Sequence, residues 1–320
     1  MKPAPVILFV YRRLEHTRKA VEALQRNELA AETTLYIFSD GYKNEEDKEQ
    51  VLEVREYIHK INGFYEVVID ESNYNRGLAE SVIEGVTSVI ESWGKAIIVE
   101  DDLVVSPYFL KYMNEALEKY NNYKNVYGIT GYVVDIIGAS KLPDSFFLPI
   151  TSSWTWATWK RCWDMFDKNA TGYQELVNSR IKRWKFDYFG SLWNSQTLLK
   201  QMRGEIDSWW IRWAWTVYRN KGVYLTPKKI LCKNEGFDGT GVHCGKDSKR
   251  EVREFKEEQI AFFPETERIK YSINCRVIFC LHLRKWRYKC QKIRYYVMHP
   301  RQIILKLKNK RRKSSVYNII

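Results

Sequence analysis

Three adjacent carboxylates, Glu100, Asp101 and Asp102, end an apolar stretch that reads Ala96-Ile-Ile-Val99 and lead into Leu-Val-Val-Ser-Pro107. Like charges packed this closely repel, and each is costly to bury alone. A hard divalent cation relieves that cost, and Mn2+ or Mg2+ takes oxygen ligands. In open α/β sheets ligands gather at the carboxyl ends of strands, which is where the triplet falls. A solvated acidic loop is the plainer alternative, and the surrounding elements decide between the two.

Two further turns fall at corresponding places. Ser39-Asp40-Gly41 and Asn75-Arg76-Gly77 each follow an apolar run. Asp40 is able to accept hydrogen bonds from a base or ribose. Gly77, opening a helix, lets a phosphate approach backbone N–H groups, and Arg76 is able to pair with its charge. Each turn alone is ordinary loop punctuation. Together with Glu100 and Asp101 on one rim, they predict a site for a nucleotide diphosphate.

The elements that must position these residues alternate. Pro5–Tyr11 is a continuous apolar run, as a strand buried on both faces requires. Strands are predicted over 33–38, 64–69 and 95–99, and helices over 17–25, from Asn44, over 78–91 and from Pro107 to about 120. Asn44 is a good N-cap, and Glu45, Glu46 and Asp47 suit the first turn that follows. This order implies βαβ units and a mixed, mostly parallel sheet flanked by helices, a Rossmann-like α/β fold. After about residue 131 the pattern loosens into Trp-rich segments and glycine-bearing loops.

Composition divides the chain in two. Hydrophobic content of 45% and charge of 28% are globular values and exclude wholesale disorder. Of the 52 Lys and Arg residues, 16 lie from Arg268 onward, where there is no Asp or Glu. The first 267 residues therefore carry 36 basic and 39 acidic groups. The expectation is a slightly acidic domain over 1–267, with halves at 1–131 and 132–267, and a distinct basic, aromatic extension over 268–320. Charge alone does not choose among an anionic membrane surface, nucleic acid and water as that tail's partner. The apolar periodicity across 273–297 is not cleanly helical. The six cysteines form no Cys-x-x-Cys pair, no apolar run approaches a membrane span, and Met1-Lys-Pro-Ala-Pro leads directly into a strand. A reducing cytoplasm is the expected setting.

The rim motifs resemble those of the GT-A class of nucleotide-sugar glycosyltransferases, in particular the bacterial family-2-like enzymes and the N-acetylglucosaminyltransferase I group. The matching residues are Pro5–Tyr11, Ser39-Asp40-Gly41, Asn75–Ser81, Ile98–Leu103 and Ser106–Leu110, and the likeness extends over about residues 3–245. It implies that the acidic triplet holds Mn2+ or Mg2+ on the donor diphosphate, with Asp102 the direct ligand, Asp101 in support and Glu100 structural. It also implies an inverting transfer to a glycan or lipid-linked acceptor, and places the catalytic base in Glu205-Ile-Asp207-Ser-Trp209. An inverting transfer needs a carboxylate to deprotonate the acceptor hydroxyl. Asp207 is the first candidate and Glu205 the second, and Trp210, where relatives often have another acid, leaves that choice open.

Trp154-Thr-Trp156 resembles the aromatic segment that follows the metal strand, and an indole face suits the C–H face of a sugar. Trp154, Trp156 and Trp209 are accordingly assigned to the acceptor pocket, Trp159 and Trp163 to the core. Asn234–Cys244 resembles the late glycine-rich loop, with Gly236, Gly239 and Gly241 able to close over the donor and His243 an additional metal ligand. A lipid-linked acceptor would put the basic tail at the inner face of the membrane, with no nucleic acid expected. Two other classes compete. A sugar-nucleotidyltransferase carries a glycine-rich loop after its first strand, where this chain reads Tyr11-Arg-Arg-Leu-Glu-His16. A non-catalytic binder would act through the tail alone.

Overall fold

The computed structural model describes residues 2–239, 255 and 258–298. In chain order the elements are β1 (Val6–Val10), α1 (Leu14–Gln25), β2 (Thr34–Ser39), α2 (Glu45–Ile58), β3 (Glu66–Glu71), α3 (Leu78–Trp93), β4 (Lys95–Glu100), β5 (Leu103–Val105) and α4 (Phe109–Lys119). They continue with β6 (Val126–Thr130), β7 (Ser145–Leu148), β8 (Trp156–Trp159), α5 (Lys160–Trp163), α6 (Gln174–Asn178), α7 (Arg180–Phe186), α8 (Asn194–Met202), α9 (Trp209–Arg219), β9 (Val223–Pro227), β10 (Cys232–Asn234) and α10 (Tyr271–Met298).

Eight strands form one mixed α/β sheet in the order β3-β2-β1-β4-β8-β6-β9-β7. The first four strands in this order run parallel, as their alternation with helices predicts. β8 reverses against both β4 and β6, and β7 against β9. Every side chain of β1 is buried, and the apolar faces of α1, α3 and α4 close over the sheet. Each fully buried Val, Leu or Ile there contributes roughly 1.5–3 kcal/mol. Asn44 caps α2 through its side-chain oxygen, which accepts the Asp47 N–H at 2.9 Å.

Register sets the rim. Phe9 lies opposite Glu100 and Val10 opposite Ser39, so the chain leaves β1, β2 and β4 at one edge of the sheet. Ile98 lies opposite Trp156, so the start of β8 meets the same edge. β5 and β10 pair antiparallel, with Leu103 opposite Asn234, and this strap folds residues 232–238 back over the acidic triplet.

The compositional break at 268 is not a break in packing. Ile273, Val277, Cys280 and Leu281 of α10 are buried against Val133, Ile136, Phe146 and Tyr188 of the body. Tyr271–Met298 thus form one long helix whose first half is part of the fold, where the sequence pattern suggested a separate tail without a clean helix. Among the described residues no helix is long and apolar enough to cross a membrane.

Candidate donor and metal site at the carboxyl rim

Asp101 and Asp102 are buried, at 5% and 8% exposure, immediately after β4. The guanidinium of Arg13 lies between them. It donates to Asp101 through both Nη2 and Nε, the latter at 3.3 Å, and through Nη2 to Asp102 at 3.1 Å. Burial works against the Arg13 charge, yet Asp101 and then Asp102 outweigh it and raise its pKa above the ordinary value. Arg13 is not among the residues expected above, because its partners lie 88 and 89 residues away in the chain.

The strap completes this corner. The Asn234 side chain donates to Asp102 at 3.4 Å, and the Asp102 carbonyl accepts the Glu235 N–H at 2.9 Å. A Cβ on Gly236 would lie 2.3 Å from Asp102 Oδ2, so only glycine lets the strap approach the carboxylate. Lys19 pairs with Glu235 at 2.6 Å and His16 with Asp238 at 3.2 Å, which ties the strap to α1. Gly239 ends the strap at a positive φ of 97°. Gly241 and His243 lie outside the described residues.

Glu100, at the end of β4, is half-buried. Burial, then the charges of Asp102 and Asp101, push its carboxyl up to about 8. Burial moves Asp101 in the same direction, with Arg13 opposing. A carboxyl raised in the folded state holds a proton there that the unfolded chain releases near the ordinary 4.5. Without metal, stability from Glu100 should therefore be complete below about pH 4.5 and be lost as the pH rises through 8. Unfolding temperatures measured in EDTA across this window should fall, and Glu100→Gln should flatten the slope. A wild-type profile that is already flat would rule out the protonated Glu100.

Two hard carboxylates on one buried corner fit a divalent cation completed by phosphate and water, the usual arrangement for Mg2+. Among the described residues no three His, Cys, Asp or Glu side chains converge on one point. Arg13 supplies the countercharge in this arrangement.

Asp40 is engaged within the protein through both carboxylate oxygens. Its Oδ1 accepts the N–H groups of Gly41 at 2.9 Å and Arg76 at 2.8 Å. Its Oδ2 accepts the Gly77 N–H at 2.9 Å and the Asn75 side-chain amide at 3.1 Å. Asn75 also donates to the Gly41 carbonyl at 2.7 Å. The carboxylate is saturated by the turn that starts α3, where a negative charge suits the helix dipole. The Arg76 and Gly77 N–H groups expected to meet a phosphate point at Asp40 instead. The Arg76 guanidinium lies 3.3 Å from both Asp70 and Glu84. Asp40, Gly41, Asn75 and Gly77 therefore form a clamp that shapes the rim.

Asp207 reaches the same clamp from the other side. A Cβ on Gly77 would lie 3.7 Å from Asp207 Oδ2. Its side chain is 61% exposed, and the buried Arg212 lies 3.7 Å from Oδ1. Glu205 sits two residues earlier in an exposed turn, 3.5 Å from Arg203.

The tryptophans divide differently than expected. Trp156 is fully buried and Trp209 is 3% exposed; their rings stack at 5.1 Å beside Trp163 and Trp213. Neither offers a free face to a sugar, and both belong to the core with Trp159 and Trp163. Trp154 lies on the rim, partly buried, 4.5 Å from Tyr132 and 5.9 Å from Phe237. The cause is Thr155, whose φ of 37° is rare for a β-branched residue. Strand alternation would put residues 154 and 156 on one face; the kink separates them.

No protein-family model matches the chain, and no curated protein matches it in sequence. Among solved structures it is similar to the mannosyltransferase PcManGT from Pyrobaculum calidifontis, solved with GDP-Man and Mn2+, at 11% identity and a TM-score of 0.35, over 50% of this chain and 45% of that one. It is similar to the galactosyltransferase LgtC in complex with donor and acceptor sugar analogs at 8% identity and a TM-score of 0.35, over 69% and 72%. For S. aureus TarS the values are 13% and 0.31, over 40% and 21%. The chain thus spans under half of PcManGT and about a fifth of TarS. Its chemistry rests on its own residues.

Proposed function

We propose that the chain is a GT-A-type glycosyltransferase that moves a sugar, with inversion, from a nucleotide-sugar donor to a hydroxyl of a glycan or lipid-linked acceptor. The observation that carries this reading is the buried Asp101–Asp102 pair at the carboxyl rim, compensated by one cation, Arg13. Two acids held so close, with a backbone strap laid over them, suit a polyvalent cationic ligand better than a structural role. Asp102, with Asp101, would hold Mn2+ or Mg2+, which supplies neutralisation of the leaving diphosphate. Glu100 ends β4 beside the pair, and burial with its neighbours' charges disfavours the ionised form that a metal ligand needs.

The chain's own groups do the rest. Asp40 keeps the 75–77 turn and the start of α3 in place, and so fixes one wall of the donor cleft. Trp154, with Tyr132 and Phe237, offers an aromatic edge for a sugar. Asp207, exposed beside Gly77, takes the acceptor proton, and Arg212 orients it. A sugar-nucleotidyltransferase is disfavoured because the residues after β1 are Arg12 and Arg13, committed to Asp47 and Asp101, where that chemistry places a glycine-rich loop. The setting we infer is the cytoplasmic face of a membrane.

The test is a screen of nucleotide sugars for thermal stabilisation and turnover with Mn2+ and with EDTA. No Mn2+-dependent response to any donor would sink the reading. Within an active enzyme, Asp207→Asn should lower kcat by about 10²-fold, the lower end for a general base because solvent reaches this exposed carboxylate. Glu205→Gln should leave kcat within a factor of about two, as a surface change does. The reverse pattern would transfer the base to Glu205.

A further inference from the structure

α10 has two apolar faces, and among the described residues only one has a partner. Ile273, Val277, Cys280 and Leu281 fill the body-facing side. On the opposite side Tyr271, Cys275, Phe279, Trp286, Cys290 and Ile293 follow one another at steps of three, four or seven residues. At 3.6 residues per turn they fall within an arc of roughly 100°. Tyr271 is 82% exposed, Phe279 59%, Trp286 62% and Ile293 63%. Arg287, Lys289 and Arg294, all exposed, flank this stripe, and no acidic residue occurs from 268 to 320. Arg276, Arg284 and Lys285 of α10 bond to carbonyl or hydroxyl oxygens of the body, and Lys285 also lies 4.7 Å from the Trp193 ring.

The surface extends beyond the helix. His282, on the stripe side, lies 3.0 Å from the Phe189 carbonyl. Phe189 and the 49% exposed Trp184 meet edge to face at 5.0 Å. Tyr188 and Phe189 have φ of 50° and 57°. Such backbone is strained for bulky residues and is retained where its surroundings demand it. Here it buries Tyr188, bonded through its hydroxyl to Asn274, and turns Phe189 outward.

We propose that this face of α10, with Trp184 and Phe189, docks the protein on an anionic lipid bilayer. Aromatic and aliphatic side chains between basic flanks, with no acid, match an interfacial helix: the rings enter the headgroup region and the cations meet lipid phosphates. Self-association fits less well, because a two-fold contact would set the same basic flanks against each other. The inference deepens the membrane-side acceptor reading, yet vesicle binding is measured with no sugar donor, so loss of one reading leaves the other testable.

The full chain is floated with vesicles of phosphatidylcholine and with an equal mixture of phosphatidylcholine and phosphatidylglycerol. It should bind the anionic vesicles, release them as salt rises, and ignore the neutral ones. Phe279→Ser with Trp286→Ser should weaken binding by about tenfold or more, since buried apolar area sets interfacial affinity, and should leave the unfolding temperature unchanged because both side chains are solvent-exposed. Arg287→Gln with Lys289→Gln and Arg294→Gln should weaken it as well. Wild-type binding by the Phe279/Trp286 variant would overturn the proposal and assign binding to charge elsewhere in the tail. So would binding of single-stranded RNA without binding of vesicles. Truncation at 268 is the wrong test, because it strips the buried face of α10 from the body.

Discussion

Asp102→Asn is expected to lower nucleotide-sugar turnover by roughly 10²–10⁴-fold, the several kcal/mol that a Lewis-acid ion contributes to a leaving diphosphate. In EDTA the same variant should unfold at the wild-type temperature or above it. The two outcomes have separate causes. Arg13 already compensates Asp101 through two donor atoms, and deleting the Asp102 charge relieves repulsion within Glu100, Asp101 and Asp102. Arg13→Gln should do the opposite. With side chains only 18% and 7% exposed, Arg13 and Asp101 are a buried pair, and breaking one costs about 3–5 kcal/mol. Adding Mn2+ should then raise the unfolding temperature of Arg13→Gln by more than that of the wild type, because the ion takes over the lost countercharge. Thermal unfolding with EDTA and with Mn2+, beside kcat for both variants, checks the pair of predictions. A wild-type Mn2+ response and turnover in Asp102→Asn would remove the metal from this corner.

Much of the parallel half of the sheet was legible because strands buried on both faces read as unbroken apolar runs, and the helices between them carry one apolar face each. Pro5–Tyr11 and Lys95–Val99 needed no tertiary information to be recognised. β5, β7 and β10, of three or four residues, were not, since each exists only through its distant partner. The rim residues were found as types, but their partners were not. Asp40 and Gly77 are 37 residues apart and bind each other, so groups that look available to a ligand in the sequence are already engaged in the fold. Arg13 was missed although a signal existed: a basic residue leaves β1 at the edge where the adjacent β4 ends in three acids. Trp156 was misplaced by a single φ at Thr155, which no spacing argument contains. α10 escaped because two apolar faces on one helix cancel the periodicity that usually reveals it.

Asp40→Ala should be among the most destabilising single changes in the body. Four donors lose one charged acceptor, and hydrogen bonds to charged groups contribute roughly 1.5–3 kcal/mol each before neighbours relax. Water reaches part of the turn and offsets some of the loss, which leaves an expected cost of about 3–5 kcal/mol and a fall in Tm on the order of 10 °C. Asp40→Asn should recover little of it. One amide oxygen could still serve Gly41 and Arg76, but the amide NH2 would face the Gly77 N–H and the Asn75 amide, setting donor against donor. Because Asp207 lies beside Gly77, the same loosening should also misplace the proposed base, so molecules that remain folded should turn over more slowly. Denaturant unfolding of Asp40→Ala, with nucleotide binding measured below its transition, separates the two roles this carboxylate could have. A large loss of stability with weakened activity fits the clamp. An unchanged unfolding midpoint with nucleotide binding lost would mean that Asp40 touches the nucleotide itself, as its place after β2 suggests when the residues are taken in sequence alone.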